Sequence, residues 1–347
     1  MLVKLERVSL FILCLTIGFV SCKKDDDANE PTPVEIRDRD EQQEADNDSI
    51  IEYFKSHYYN SSAFVDNPDP SINDLVISKL PENGELPDPD NNTLLWDALE
   101  EENGPLIKKS LVFAETDYEI YYLVLNEGGG KAPKFCDDVL VTYEGFKLND
   151  DIFDSAVTPV EFDLITEVAV SGWRKILPEF RASVGYTDLG DGTIDFVNHG
   201  VGVMFIPSGL AYFSSATSGI PAYSPICFKF ELLQTYQNDH DGDGIPTYLE
   251  DLNNDGEFTL EDDDTDDDNQ VDFLDTNDDG DLKLTKDEIE LSTYTDIDTR
   301  EELENMASGA FKELIEVIEQ EDGKFAGTIL NLDPDGDGKA QYLDSTL

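Results

Sequence analysis

The 347-residue sequence is poor in basic residues: 23 Lys and Arg stand against 78 Asp and Glu, a net charge of −55. Such a chain is repelled by nucleic acid and by anionic lipid headgroups, and it attracts cations. Cysteine is scarce too, with four in all. Cys14 and Cys22 lie at the extreme start, which leaves Cys136 and Cys227. An oxidising compartment permits a disulfide between these two, and two separate buried thiols are the expectation. Long hydrophobic runs are missing. The apolar stretch 8–20 is shorter than the roughly 20 residues that a membrane span needs. It follows Lys4 and Arg7, and so reads as the core of an export signal. There is no phosphate loop: Gly128-Gly129-Gly130 runs into Ala132-Pro133 instead of a Lys-Ser or Lys-Thr pair opening a helix, and reads as a turn. What is present is material for at least one packed core, with 39% hydrophobic residues, and length for two or three units. The acid is concentrated. Between Asp239 and Glu290 there are 22 acidic and 2 basic residues.

At the end of the apolar stretch, Phe19-Val20-Ser21-Cys22 resembles a bacterial lipobox. The resemblance implies a signal peptide over 1–21 and a lipid on Cys22, the mature N-terminus; an ordinary cleaved signal is the alternative. Lys23-Lys24-Asp25-Asp26-Asp27 is similar to the acidic tag that one group of Gram-negative bacteria uses to send lipoproteins to the outer cell face, or else is a solvated charge run. Together they imply an outer-membrane lipoprotein on the periplasmic or cell-surface side. Residues 22–47, rich in Asp, Glu, Pro and Asn, read as a flexible acidic tether. Residues 48–117 read as a partly helical N-terminal extension, with Asn47-Asp48-Ser49 capping a helix that begins at Ile50. Nothing in this extension signals a function.

From Tyr118 the pattern changes to strands. Tyr118-Glu119-Ile120-Tyr121-Tyr122-Leu123-Val124-Leu125, Val139-Leu140-Val141-Thr142-Tyr143 and the alternating Phe228-Lys229-Phe230-Glu231-Leu232-Leu233 suggest an antiparallel sheet with one short helix near Trp173. Six motifs then occur in order: Val141-Thr142-Tyr143-Glu144-Gly145-Phe146, Ile152-Phe153-Asp154-Ser155, Val170-Ser171-Gly172-Trp173, Phe205-Ile206-Pro207-Ser208-Gly209-Leu210-Ala211-Tyr212, Ile220-Pro221, and the 228–233 strand. In that order they resemble the FKBP-type peptidyl-prolyl isomerases over 118–237. The fold class implied is α+β, an FKBP-like antiparallel sheet wrapped on a short helix, followed by an acidic calcium-binding repeat region over 238–347.

The resemblance implies a pocket. Trp173 would be its floor, Tyr143, Phe153 and Phe228 its walls, Val170 and Ile220 its rim, with Phe162 nearby. Asp154 would orient Tyr143 or polarise the twisted carbonyl, and Tyr212 would donate to the substrate backbone. The alternative is that these aromatics are plain core. The sequence departs from the family's pattern in three places. Val160 stands where a second aromatic wall is common, Phe213 stands where the Tyr212 loop usually continues with Gly, and extra sequence containing Gly190-Asp191-Gly192 precedes Phe205. The chemistry is consistent with the lack of any nucleophile, metal or acid–base pair. Turning an Xaa–Pro bond breaks amide resonance across a barrier of about 20 kcal/mol. The twisted amide has a less polar carbonyl, and an apolar, aromatic-lined pocket favours it over water.

The acidic third repeats a spacing of oxygens at positions 1, 3 and 5, Gly at 6 and a carboxylate at 12, which is that of a calcium loop. Asp239, Asp241, Asp243 and Glu250 form the first; Asp251, Asn253, Asp255 and Asp262 the second; Asp264, Asp266, Asp268 and Asp275 a third, with Asn269 for Gly. Asp275, Asn277 and Asp279 start a fourth whose position 12 is Lys286, so that Asp287 or Glu288 would have to substitute. Asp333, Asp335, Asp337 and Asp344 form a fifth. The first four follow one another too closely for flanking helices, and so resemble thrombospondin type 3 repeats more than paired EF-hands. An acidic disordered tail is the alternative. Ile245, Phe258, Val271 and Leu282 recur behind the clusters as packing residues, and the apolar spacing of Leu303, Met306, Phe311, Leu314, Ile315 and Ile318 predicts a helix over 299–320.

The reading that follows is a peptidyl-prolyl isomerase of exported, proline-containing proteins, needing no catalytic cofactor, with structural Ca²⁺ in its C-terminal third. Two others stay open: a non-catalytic FKBP-like chaperone or binding module, and a structural surface lipoprotein with a calcium-rigidified spacer. Because the pocket uses no metal, chelation is expected to leave isomerisation untouched.

Overall fold

The computed structural model describes residues 36–168, 170–320 and 322–346. The expected signal peptide, Cys22 and the first part of the expected tether lie outside the described residues. Helix α1 (Arg39–Ser56) starts well before Asn47. Asp38 caps it by accepting from the amides of Asp40 and Glu41, and acid in the first turn with Lys55 in the last complements the helix dipole. Sequence reading put 39–47 in the tether because this part of the inward face is polar: Gln42, Gln43 and Asp46 are buried, and apolar periodicity begins only at Ile50. Three short strands, β1 (His57–Tyr59), β2 (Ile77–Lys79) and β3 (Thr93–Leu94), form a small sheet in the order β2-β1-β3, followed by helix α2 (Leu95–Glu100).

The central sheet is antiparallel and six-stranded. Its strands are β4 (Leu106–Phe113), β5 (Thr116–Asn126), β6 (Asp138–Lys147), β7 (Ile152–Asp163), β10 (Gly200–Ile206) and β11 (Ile226–Tyr236), in the order β4-β5-β10-β11-β6-β7. It therefore begins at Leu106, inside the segment read as the N-terminal extension. The alternation of β11 sends Phe228, Phe230 and Leu232 to one face and Cys227 to the other. The first face packs on helix α3 (Gly172–Ile176). The second packs on Ile50, Tyr53 and Phe54 of α1 and on Leu95 and Ala98 of α2. β10 is covered on both sides, so all seven of its residues are buried and it shows no alternation. Cys136 and Cys227 are buried and free.

The segment before β10 folds as an exposed hairpin of β8 (Gly185–Asp188) and β9 (Ile194–Val197). It enters at the start of β10, at the other end of the strand from the turn that carries Tyr212.

The C-terminal third is a series of acidic turns followed by a three-stranded sheet of β12 (Glu290–Ile297), β13 (Lys312–Glu319) and β14 (Phe325–Asn331), ordered β12-β14-β13. Helix α4 (Arg300–Met306), capped by Thr299, is all that forms of the helix expected over 299–320. It ends at Met306 with Ala307 as its C-cap, and Ile315, Val317 and Ile318 are β-branched residues that suit a strand. The register of β13 against β14 shifts between Leu314 and Glu316, and that irregularity made a strand's apolar residues mimic helical spacing. Leu282, expected to pack, is fully exposed. Ile245 is fully buried, and Phe258 stacks on Phe273 with ring centroids 4.2 Å apart.

Candidate active site and carboxylate clusters

Trp173 sits at the start of α3 because Gly172 lets the helix descend onto β10: a Cβ at Gly172 would lie 2.7 Å from Ile206 Cδ1. The indole is almost wholly buried and is ringed by four aromatic side chains, with Phe230 edge-on at 6.0 Å. The ring of Phe228 is 4.9 Å away, Tyr143 5.7 Å and Phe162 5.8 Å, the last two edge-on. Phe153 meets Phe228 edge-on at 5.5 Å. Their approach depends on Gly145, where a Cβ would lie 2.7 Å from Phe153 and 2.9 Å from Phe228. Val170 and Ile220 are buried in the same cluster, and Val160, Phe162 and Tyr212 pack against it half-buried.

The polar groups stand at the outer side. Tyr143 donates its hydroxyl proton to Asp154 Oδ2 at 2.7 Å, while Asp154 Oδ1 accepts the amide of Ser155. Burial, then this bond and the carboxylate's charge, push the Tyr143 hydroxyl well above the usual phenol range. Tyr212 is raised for the same first reason, with Asp154's charge second, so both hydroxyls stay protonated donors. Phe213 adopts φ +46°. This is left-handed backbone that favours glycine. Its ring is held edge-on to Tyr223 at 5.3 Å and under the Arg39 guanidinium at 4.3 Å. Asp46 of α1 accepts both the amide and the hydroxyl of Ser208, at 2.7 and 2.6 Å, and so fixes the turn that leads to Tyr212.

FKBP-type peptidyl-prolyl cis-trans isomerase FkpA of Escherichia coli strain K12 is 32% identical over 117 residues, 33% of this chain and 37% of that protein. About a third of the chain is homologous to FKBP-type peptidyl-prolyl isomerases. The chain thus spans well under half the length of the curated relatives it matches. Among solved structures, a peptidyl-prolyl isomerase of Pseudomonas syringae pv. tomato is similar at 24% identity and a TM-score of 0.29, over 38% of this chain and 81% of that one. The FkpA structure from Escherichia coli aligns at 28% identity and a TM-score of 0.27, over 33% and 47%. A family model described as BamM C-terminal matches residues 240–308.

In the acidic region the carboxylates gather in four groups among the described residues: Asp241, Asp243, Glu250 and Asp278; Asp264, Asp266 and Asp268; Asp279, Asp281 and Glu288; and Asp333, Asp335 and Asp337. In each group one oxygen per residue lies within 4.8 Å of the others. The remaining expected ligands do other work. Asp239 folds its turn by accepting the amides of Gly242 and Gly244, and Asp251 does so for Asp255 and Gly256. Asn253 and Asp255 accept backbone amides of their own turn. Asp262 is exposed; its buried neighbour Asp263 accepts the amides of Leu252 and Thr259. Asp275 accepts the amide of Asn277, and Asp344 is paired with Lys339 at 2.6 Å.

The carboxylate grouping in the fourth loop is offset by two residues from the Asp275 start expected from the sequence. Thr247 and Glu250 close the first loop, both fully buried. Thr285 and Glu288 occupy the same places in the fourth, so that it starts at Asn277 and uses Asp279, Asp281 and Glu288 at positions 3, 5 and 12. The Thr-x-x-Glu pair was the sequence signal for this register. The glycine rule hid it, because Leu282 holds position 6.

Proposed function

We propose that this protein is a peptidyl-prolyl cis-trans isomerase of the FKBP type, acting on proline-containing exported proteins. The observation that carries the reading is the aromatic ring around Trp173 with the Tyr143–Asp154 hydrogen bond at its edge. The residues supply an apolar floor for a proline ring, two hydroxyl donors and one carboxylate. An apolar cradle stabilises the twisted amide relative to the planar one, and stabilisation confined to the transition state is what accelerates turnover. Isomerisation of short Xaa–Pro peptides by the mature chain tests it. A rate above the uncatalysed one that Trp173→Leu removes is expected; no acceleration would leave a binding module. That second reading is favoured by Phe213 in left-handed backbone beside Tyr212 and by aliphatic Val160 at the wall.

The leader motif supports lipidation at Cys22 and an outer-membrane location facing the periplasm or the exterior. Cys22→Ser should release the protein from the membrane fraction.

Ca²⁺ is proposed as a structural ion of the acidic region. Both oxygens of Glu250 and of Glu288 are buried without a hydrogen-bond partner, Glu288 having only Lys283 Nζ at 3.7 Å, as are single oxygens of Asp241, Asp243, Asp278 and Asp279. Burial first and neighbouring carboxylates second push Glu250 up to about 11, Asp278 to about 9 and Asp241 to about 8. Buried, unpartnered carboxylates of one sign call for a positive charge. An all-oxygen set fits a hard divalent cation. Asp241, Asp243, Glu250, Asp264, Asp266, Asp268, Asp279, Asp281, Glu288, Asp333, Asp335 and Asp337 would hold such ions.

A further inference from the structure

We infer that loops 239–250 and 277–288 form a coupled pair of divalent-cation sites, in which Asp278 of the second loop completes the site of the first. The inference rests on the calcium reading of the acidic region and specifies how two of its sites are built.

The first loop supplies Asp241, Asp243 and Glu250 from positions 3, 5 and 12. The fourth carboxylate of that group, Asp278, comes from position 2 of the other loop, which no serial calcium-loop pattern uses as a ligand. Its placement is built. Asp278 is buried to 1% exposure, and its Oδ2 accepts the Thr285 hydroxyl at 3.1 Å. That bond leaves Oδ1 buried and unpartnered, and one oxygen of Asp278 is gathered with those of the first loop. The equivalent residue of the first loop, His240, bonds the equivalent Thr247 hydroxyl at 2.8 Å. The same scaffold contact therefore recurs in both loops, but only in the second does position 2 carry a carboxylate with an oxygen to spare.

Asp279, the next residue along the chain, belongs to the other group with Asp281 and Glu288. The buried, unpartnered Oδ1 of Asn277 lies at position 1 of the same loop. One peptide unit thus contributes its two side chains to two separate sites. A cation in either site fixes the 278–279 backbone, and so lowers the ordering cost of filling the other. Oxygens within 4.8 Å of one another suit Ca²⁺, whose ligands stand about 2.3–2.6 Å from the ion. Tyr342, almost fully buried, lies beside Glu250 and Asp278, which together with burial push its hydroxyl up.

The experiment is calorimetric titration of the chelator-stripped full chain with CaCl₂, for the parent, Glu250→Gln, Asp278→Asn, Glu288→Gln and, as a distant control, Asp335→Asn. Asp278→Asn should lose one cation and weaken uptake at the neighbouring site by about fivefold or more. Glu250→Gln should do the same, whereas Asp335→Asn should leave both sites intact. Terbium luminescence excited through tyrosine supplies a second readout that needs no ligand to be lost: Tyr342→Phe should cut the sensitised emission several-fold with the cation count unchanged. If Asp278→Asn binds as many ions as the parent with parental affinity, while the parent does bind calcium, the paired site is wrong and the general calcium reading stands. If the parent takes up no calcium at millimolar concentration, both fall. Full emission from Tyr342→Phe would place the ion elsewhere and also overturn the pairing.

Discussion

Asp154 stands at the outer edge of the pocket, solvent-exposed, and holds the Tyr143 hydroxyl with one oxygen and the Ser155 amide with the other. Its removal should barely touch the fold, because its packing is slight. Losing about 1.4 kcal/mol of transition-state stabilisation lowers a rate about tenfold. Asp154→Ala should therefore lower kcat/KM for a short Xaa–Pro peptide by roughly tenfold or more with an unchanged denaturation midpoint; parental kinetics would remove the residue from the site. Gly145 tests the aromatic wall in the other direction. A methyl there meets Phe153 and Phe228 ring carbons at under 3 Å. Such overpacking costs about 1–3 kcal/mol. Gly145→Ala should both lower stability by that amount and slow isomerisation, as the two rings are pushed off Trp173. A variant as stable and as active as the parent would show that the wall yields freely.

The elements show why some of the fold was legible and some was not. The strands of the central sheet announced themselves through β11, where one face meets α3 and the other meets α1, and through the motif order that carries Trp173. The start of α1 was hidden because its buried face there is polar, Gln42, Gln43 and Asp46, with Gln42 donating to Asp46 and Asp46 accepting from Ser208. β13 was hidden by a shift of register, and the fourth acidic loop by a missing glycine. Asp137, just ahead of β6, is another polar group that only the fold explains. It is buried, accepts the Lys134 amide at 2.8 Å, and burial pushes its pKa up to about 6 despite that bond. A carboxyl raised from an unfolded value of about 3.9 favours the folded state when protonated. Its contribution is fully present below about pH 4 and is lost as pH rises through about 6. The stability difference between Asp137→Asn and the parent should thus shift in favour of the variant by up to about 3 kcal/mol between pH 4 and pH 7. Urea unfolding at fixed calcium across that range measures it, and a constant difference would mean that Asp137 keeps an ordinary pKa.

Within the body of the molecule the acidic region is fastened to the pocket. Arg174 and Lys175 follow Trp173 directly in α3, and both reach Glu257, at 2.5 and 2.6 Å; Lys175 also donates to the Gly256 carbonyl at 2.9 Å. The partners are largely shielded, with side-chain exposures of 15%, 10% and 24%. Ion pairs in that setting are screened less than exposed ones. Gly256 and Glu257 close the turn that begins at Asp251, and Asp251 follows Glu250, the buried carboxylate of the first cation group. The sequence suggested that chelation would spare the pocket, since no metal acts in it. The fold argues otherwise. Without a cation the carboxyls around Glu250 lose the ion that would gather them, and the turn that grips α3 loses its fixed end. Removing calcium should then lower isomerase activity by about fivefold, the size of a typical coupling energy, and re-addition should restore it. Glu257→Gln should reduce basal activity to the chelated level and abolish the response, because the link is cut while the cation loops remain. Equal activity of the parent in calcium and in chelator, under conditions where calorimetry shows that calcium has been removed, would mean that the two regions are joined by contacts but not by energy.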